Sequence, residues 1–136
     1  MKLVIQIPCL NEENSLPVTL EALPKHIDGI DEIEVLVIDD GSTDNTVDVA
    51  KRAGADAVIS LGSNKGLAKA FVAGINKALS MGADIIVNTD ADNQYKAEYI
   101  EKLIKPILEN KADIVIGARP VDSIEHFSPL KKFLQK

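Results

Sequence analysis

Short apolar runs alternate along this chain with longer segments in which apolar residues recur at helical spacing. Continuous apolar runs of this kind are typical of strands that are buried on both faces of a parallel sheet. Five runs are predicted to be strands: Leu3–Pro8, Glu34–Ile38, Ala57–Ser60, Asp84–Asn88 and Asp113–Ile116. We therefore expect a sheet of five strands in one α/β domain.

Helices are predicted between the strands from the spacing of apolar residues at three and four positions. They extend from Ser15 to Leu23, from Thr43 to Ala53, from Lys65 to Met81 and from Ala97 to Asn110. Asn14 or Ser15 is the expected cap of the first helix and Ser42 that of the second. Pro106 is expected to kink or split the fourth helix. This alternating order predicts a parallel sheet with right-handed crossovers.

Composition limits the classes of function. The 136 residues are 46% hydrophobic and 26% charged, which predicts a single globular domain. The net charge of −6 argues against non-specific nucleic-acid binding, which depends on lysine and arginine, and no nucleic-acid partner is expected. The single cysteine, Cys9, excludes an intrachain disulfide and a paired-cysteine metal site. Without a signal-peptide pattern or a long apolar segment, the expected location is the cytoplasm.

Polar and small residues follow every predicted strand. Ligands of open parallel sheets bind outside the carboxyl ends of the strands. The segments that follow the five strands are 8–13, 39–42, 62–66, 89–94 and 117–120. Because all five segments are rich in polar and small residues, we expect a polar ligand at this edge of the sheet.

The fourth segment carries the most suggestive chemistry, because Asp90 and Asp92 flank the small residue Ala91. Carboxylates that leave a buried strand suit Mg²⁺ or Mn²⁺, and Gln94 offers a neutral oxygen. Such an ion would bridge phosphate oxygens and offset the charge of a departing diphosphate. The alternative is that one aspartate caps the next helix while the other is solvated.

Two further segments carry groups that suit a nucleotide. A carboxylate of Asp39 or Asp40 is able to accept hydrogen bonds from a base or a ribose; alternatively, Asp40 or Ser42 caps the helix that starts near Thr43. Residues 64–66 open a helix, where backbone N–H groups and Lys65 favour an anion such as phosphate. The alternative for Lys65 is a solvated surface lysine.

Motifs of other nucleotide-binding classes are missing from the sequence. It contains neither a Walker A loop nor a Gly-x-Gly-x-x-Gly loop, which argues against a dinucleotide-dependent dehydrogenase. Arg119, after the last predicted strand, is a candidate phosphate ligand or a surface arginine. A different hypothesis is a signalling domain that accepts a phosphoryl group on an aspartate. Such domains carry their acidic pair after the first strand, whereas the pair Asp39 and Asp40 follows the second predicted strand here.

Five segments together resemble the inverting family-two glycosyltransferases of the GT-A fold, nearest to the dolichyl- and polyprenyl-phosphate sugar synthases. They are Ile7–Glu13, Val37–Asp44, Asn64–Gly66 with Gly74, Asp90–Gln94 and Gly117–Arg119, within residues 3 to 120. The resemblance implies a three-layer α/β sandwich with a mainly parallel sheet. It also implies that residues 1–120 form the nucleotide-sugar domain, and that residues 121–136 begin an acceptor half or an amphipathic helix.

Residue roles follow from this resemblance. It implies nucleotide binding by Pro8, Asn11, Glu12, Asp39, Asp40, Lys65, Gly66, Asp90, Ala91 and Arg119. It implies that Asp90, Asp92 and Gln94 hold Mg²⁺ or Mn²⁺, with Asp90 and Asp92 as catalytic residues and the general base outside this chain. Many relatives have tyrosine where Leu10 stands, so the base of the nucleotide stays open between UDP and GDP types.

The implied activity is transfer of a sugar, with inversion, to an acceptor such as a polyprenyl phosphate or a saccharide. Contact with the cytoplasmic face of a membrane is expected through a longer parent protein. Phe127, Leu130 and Phe133 recur at helical spacing beside lysines, which fits a helix on a membrane surface or on a missing half. The rival hypothesis is a nucleotide-binding module without transferase activity of its own.

Overall fold

The computed structural model describes residues 1–91 and 99–116, which contain four strands and four helices. In chain order they are β1 (Lys2–Cys9), α1 (Leu16–Ala22), β2 (Glu32–Asp39), α2 (Thr46–Arg52), β3 (Ala57–Ser60), α3 (Leu67–Ser80), β4 (Ile85–Asn88) and α4 (Tyr99–Leu108). The strands and the first three helices belong to the compact unit Met1–Lys102; residues 103–116 are the described part of a second unit. No helix within these described ranges combines the length and the apolar character needed to cross a membrane.

The four strands form one parallel sheet in the order β3-β2-β1-β4. The register places Gln6 of β1 opposite Leu36 of β2 and Asn88 of β4. Asp39, the last residue of β2, lies between Cys9 of β1 and Ser60 of β3. Because all strands run in the same direction, their carboxyl ends lie along one edge of the sheet. The predicted parallel α/β architecture is confirmed.

The core lies on both faces of the central strand β1. On one face, Val4, Leu36 and Ile38 pack with Ala70 and Ala78 of α3. Side chains of alternate strand residues point to opposite faces. The residues of β1 that point to the other face are also fully buried: Leu3, Ile5 and Ile7. Both faces of the sheet are therefore covered, which is the three-layer arrangement expected of the fold.

The helix starts differ from the sequence prediction at α2. This helix begins at Thr46 and its N-cap residue is Asn45, so the prediction that Ser42 caps a helix from Thr43 is wrong. Ser42 instead accepts a hydrogen bond from the backbone N–H of Asn11. Ser15 is the N-cap residue of α1, but its hydroxyl makes no capping bond. The cap was predicted from residues that are neighbours in sequence. Ser42 is instead bound by the loop after β1, which lies close because β1 pairs with β2.

The end of the described chain also differs from the prediction. Pro106 lies inside α4, which continues to Leu108, so the helix is not split there. Residues 113–116 form no strand, and Ile114 and Ile116 are 82% and 86% exposed. The predicted fifth strand is therefore wrong, because an apolar run becomes a strand only where a neighbouring strand pairs with it. Residues 97 and 98, the predicted start of this helix, lie outside the described residues.

Gly74 gives a test of how closely α3 packs on the sheet. A Cβ atom at this position would lie 2.6 Å from Oε1 of Gln6 and 2.9 Å from Cδ1 of Ile38. Gln6 is fully buried and its amide donates to Asn88, so it has little room to move. We expect Gly74→Ala to lower the free energy of unfolding by about 1–3 kcal/mol in urea titrations. Asn76→Ala, on the exposed face of the same helix, is expected to leave stability unchanged or to raise it slightly. Equal stability of the two variants would contradict this packing.

Candidate functional site

The carboxyl ends of β1, β2, β3 and β4 bring four polar segments to one edge of the sheet. These segments contain or adjoin nine of the predicted site residues: Pro8, Asn11, Glu12, Asp39, Asp40, Lys65, Gly66, Asp90 and Ala91. Asp92, Gln94 and Arg119 lie outside the described residues. Many of the polar groups in these segments are already hydrogen-bonded to one another, which shows how the site is built.

Asn11 joins the loop after β1 to the loop after β2. Its backbone has a φ of 54°, a left-handed conformation that asparagine adopts more readily than most residues. The N–H of Asn11 donates to Oγ of Ser42 at 2.8 Å, and its Oδ1 accepts from the N–H of Thr43 at 2.8 Å. The side-chain oxygen of Asn11 is thus engaged within the protein, and its role in nucleotide binding stays a prediction.

A second connection between the same two loops centres on Thr46, whose role the sequence did not reveal. The Thr46 hydroxyl accepts from the N–H of Glu12 at 2.9 Å and donates to Oδ1 of Asp44. Hydrogen bonding by Thr46 holds the pKa of Asp44 below its usual value, so this carboxylate is ionised at neutral pH. Asp44 also accepts from the N–H of Glu13 at 3.3 Å. The first two loops are therefore held together by backbone and side-chain bonds.

Asp39 is buried at the end of β2, with 2% of its surface exposed. Its carboxylate accepts from the N–H of Ser42 at 3.2 Å and from the Ser60 hydroxyl at 3.3 Å. Ser60 ends β3, so this contact ties the second strand to the third at the candidate site. Contact between Asp39 and a nucleotide base stays a prediction.

Asp40 holds the start of α3. Its Oδ1 accepts from the N–H of Lys65 at 2.7 Å, and its Oδ2 accepts from the N–H of Gly66 at 3.1 Å. The sequence predicted an anion such as phosphate at these amides, whereas in the structure they donate to the Asp40 carboxylate of the protein itself. Phosphate binding by this segment stays a prediction. The alternative that Asp40 caps the helix after it is wrong, because Asp40 bonds to the amino end of α3 instead. The Lys65 side chain is exposed.

Gly41 marks a close approach between the loops that follow β2 and β3. Its φ is 84°, and a Cβ atom would lie 2.4 Å from the backbone carbon of Ser63 and 2.5 Å from the backbone nitrogen of Asn64. Only glycine fits this combination of left-handed backbone and close contact. The loops after the first three strands therefore form one connected surface.

The end of β4 is held from two sides. The N–H of Thr89 donates to the backbone oxygen of Gln6 at 3.1 Å, and the Gln6 amide donates to Oδ1 of Asn88 at 3.0 Å. On the other side, the Thr19 hydroxyl donates to the backbone oxygen of Ala91 at 2.7 Å. Asp90 lies between these anchors and is half-buried. Sequence reasoning missed both Gln6 and Thr19, whose polar groups act only through contacts distant in sequence.

Asp90 is the described member of the predicted metal-binding set, because Asp92 and Gln94 lie outside the described residues. Among residues 1–91 and 99–116, no group of three or more His, Cys, Asp or Glu side chains is arranged to hold a metal ion. The chemistry of Asp90 itself, a carboxylate at the carboxyl end of a parallel strand, fits Mg²⁺ or Mn²⁺. The full ligand set stays a prediction.

Cys9 is a core residue at the base of the site. It is 3% exposed, and burial raises the pKa of its thiol to about 12, with the charges of Asp39, Glu12 and Asp44 adding to the effect. Cys9 is therefore a small residue of the core, and a thiol in this environment is inert as a nucleophile.

Comparison with known sequences finds a protein family that matches most of this chain. A model of the family described as glycosyl transferase family 2 matches residues 4–132. The chain is 38% identical over 125 residues to an undecaprenyl-phosphate mannosyltransferase of Micrococcus luteus, covering 89% of this chain and 49% of that protein. It is 33% identical over 141 residues to a dolichol-phosphate mannosyltransferase of Pyrococcus furiosus, covering all of this chain and 39% of that protein. The chain thus spans half the length of these relatives or less.

Comparison with solved structures finds an enzyme with a similar fold. The chain is similar to glucosyl-3-phosphoglycerate synthase from Mycobacterium tuberculosis, with a TM-score of 0.63 and 27% sequence identity. The similarity covers 79% of this chain and 39% of the synthase, whose crystal structure contains Mn²⁺, UDP and glucosyl-3-phosphoglycerate. A further crystal structure of that enzyme contains Mg²⁺ and UDP.

Gly41 and Gly54 form a matched pair for testing the contact between loops. Both have a left-handed backbone, but a Cβ atom at Gly54 would meet nothing within 4 Å. Gly54→Ala is expected to lower the free energy of unfolding by about 1–2 kcal/mol through backbone strain alone. Gly41→Ala should cost about 1–3 kcal/mol more, because the backbone around Ser63 must also move. Chemical denaturation measures both values, and equal losses would contradict the close contact.

The reactivity of Cys9 tests the burial of the site base. Because the chain contains one cysteine, a thiol reagent reports on this residue alone. We expect no modification of the folded chain by a disulfide reagent at pH 8 over a period in which the urea-unfolded chain reacts fully. Rapid reaction of the folded chain would show that the ends of β1 and β2 open to solvent.

Proposed function

The chain belongs to glycosyl transferase family 2, and from this premise we propose that it binds the nucleotide-sugar donor of a metal-dependent, inverting glycosyltransferase. Residues 1–120 are the proposed donor-binding domain, and residues 121–136 the start of the acceptor half. The proposed donor is a UDP- or GDP-sugar, and the proposed acceptor is a polyprenyl phosphate or a saccharide. The relatives named for undecaprenyl-phosphate and dolichol-phosphate support the lipid-phosphate acceptor.

The observation that carries this proposal is the joining of the loops at the carboxyl edge. Asn11 and Thr46 connect the first loop to the second, and Asp40 and Gly41 connect the second to the third. A surface whose parts are already bonded to one another loses little conformational entropy when a ligand binds. Its position, at the carboxyl ends of parallel strands, is where ligands of such sheets bind.

We assign nucleotide contacts to residues of this surface and to residues beyond those described. The proposed nucleotide-binding residues are Pro8, Asn11, Glu12, Asp39, Asp40, Lys65, Gly66, Asp90, Ala91 and Arg119. Asp39 is the proposed partner of the base, and Glu12 lies near the base or ribose. Asp40 acts by shaping the loop, which agrees with its bonds to the amides of Lys65 and Gly66.

Asp90, Asp92 and Gln94 would hold Mg²⁺ or Mn²⁺ and act at the diphosphate. When bound, such an ion supplies a Lewis acid that offsets the negative charge of the leaving nucleoside diphosphate. Asp90 follows β4, the strand that pairs with β1, and is half-buried. The crystal structures of the similar synthase with Mn²⁺ or Mg²⁺ and UDP support this choice of ion.

Transfer itself is proposed to occur by attack of the acceptor on the anomeric carbon from the face opposite the diphosphate. This direction of attack inverts the anomeric centre. The general base is proposed to lie outside this chain, because the chain spans half or less of its relatives' length. We place the reaction in the cytoplasm, at the cytoplasmic face of a membrane when the acceptor is a lipid phosphate.

Calorimetric titration with UDP and GDP, with and without Mn²⁺, tests the proposal directly. We expect one nucleotide to bind, and Mn²⁺ to tighten its binding by about tenfold or more. Removal of a group that only orients a metal ligand lowers metal affinity by about 10–100-fold. Removal of a ligand itself should cost at least as much, so we expect Asp90→Asn and Asp92→Asn each to remove most of the effect of Mn²⁺ on nucleotide binding.

Asp48→Asn is the matched control, because Asp48 is an exposed residue of α2 and its loss removes the same charge. Its binding should equal that of the unaltered chain. A folded chain that binds neither nucleotide, or binds one without regard to metal, would refute the proposal. Incubation with a radiolabelled nucleotide sugar and a polyprenyl phosphate tests the rival hypothesis of a module without transferase activity, because sugar transfer by this chain alone would refute that hypothesis.

A further inference from the structure

Thr19 makes an unusual bond for a threonine in a helix. It lies in the middle of α1 with 3% of its surface exposed, and its hydroxyl donates to the backbone oxygen of Ala91 at 2.7 Å. A threonine inside a helix commonly returns its hydroxyl to a carbonyl of its own preceding turn. A hydroxyl has one proton to donate, so the bond to Ala91 replaces that local bond. The bond joins residues 72 positions apart in the chain.

The accepting residue lies next to Asp90. Ala91 is 4% exposed, so the bond from Thr19 lies in a part of the protein that excludes water. On the other side of Asp90, the N–H of Thr89 donates to the backbone oxygen of Gln6 at 3.1 Å. The backbone that carries the Asp90 carboxylate is thus held by β1 before it and by α1 after it.

We propose that Thr19 is a positioning residue of the candidate site, which fixes the direction of the Asp90 carboxylate through the Ala91 carbonyl. The inference rests on the proposed function, because it takes Asp90 to face a divalent cation and the diphosphate of a nucleotide. Groups that orient metal ligands without contacting the metal typically change metal affinity by about 10–100-fold when they are removed. The Thr19 hydroxyl holds the backbone of the residue that follows Asp90 rather than the side chain of a ligand, so we expect the lower part of this range.

Three substitutions at Thr19 separate the hydroxyl from the shape of the side chain. Thr19→Val keeps the shape and removes the hydroxyl, whereas Thr19→Ser keeps the hydroxyl. Binding of Mn²⁺ is measured from the electron paramagnetic resonance signal of the free ion, with saturating UDP or GDP. We expect Thr19→Val to raise the Kd for Mn²⁺ about tenfold, and Thr19→Ser to stay within about threefold of the unaltered chain. If the valine variant does not fold, Thr19→Ala against Thr19→Ser makes the same comparison, since these two differ only in the hydroxyl.

Ser80→Ala is the matched control. Its hydroxyl also donates to a backbone carbonyl, that of Lys77 at 2.6 Å, but at the opposite end of α3 from the site. Its Kd for Mn²⁺ should be unchanged. A valine variant that is less stable to heat but binds Mn²⁺ normally would reduce Thr19 to a structural residue and overturn the inference. A serine variant as weak as the valine variant would also overturn it. Failure of the unaltered chain to bind Mn²⁺ with either nucleotide overturns both this inference and the proposed function.

Discussion

Parallel pairing of the central strand β1 with β2 on one side and β4 on the other determines where the rest of the molecule lies. This pairing brings the carboxyl ends of all four strands to one edge, because parallel strands share a direction. It also buries β1 on both faces, which requires helices on each side of the sheet. The loops that follow the strands therefore lie side by side. Hydrogen bonds between these loops are possible because of that proximity.

Most of the polar side chains at this edge form hydrogen bonds within the protein itself. Asn11 and Thr46 bind the second loop to the first, and Asp40 occupies the amides at the start of α3. Buried polar groups without partners are costly, and the buried Asp39, Asp40 and Thr46 of these loops all have hydrogen-bond partners within the protein. The result is a surface whose geometry is set by internal hydrogen bonds. Asp90, at the end of β4, is carried by a segment that is anchored differently, through β1 and α1.

Local sequence patterns were sufficient for the four paired strands and for the existence of all four helices. Each strand is a run of apolar residues, and burial on both faces is the condition that selects such runs. The same patterns placed acidic and small residues after the strands, which is enough to predict a candidate site there and to carry the family resemblance. They failed at residues 113–116, where the apolar run has the composition of a strand and yet both isoleucines are exposed. Whether a strand forms depends on a pairing partner, which composition does not specify.

The sequence by itself therefore determined the four paired strands, the four helices and the candidate site residues that follow the strands, since all of these depend on patterns within a few residues. Only the tertiary structure decided which group each polar atom binds. Ser42 accepts from Asn11 instead of capping α2, Asp40 holds the start of α3, and Thr19 holds Ala91. The partners in these contacts lie between 25 and 72 residues apart. They meet because of the order of strands in the sheet, and no local pattern in the chain encodes that order.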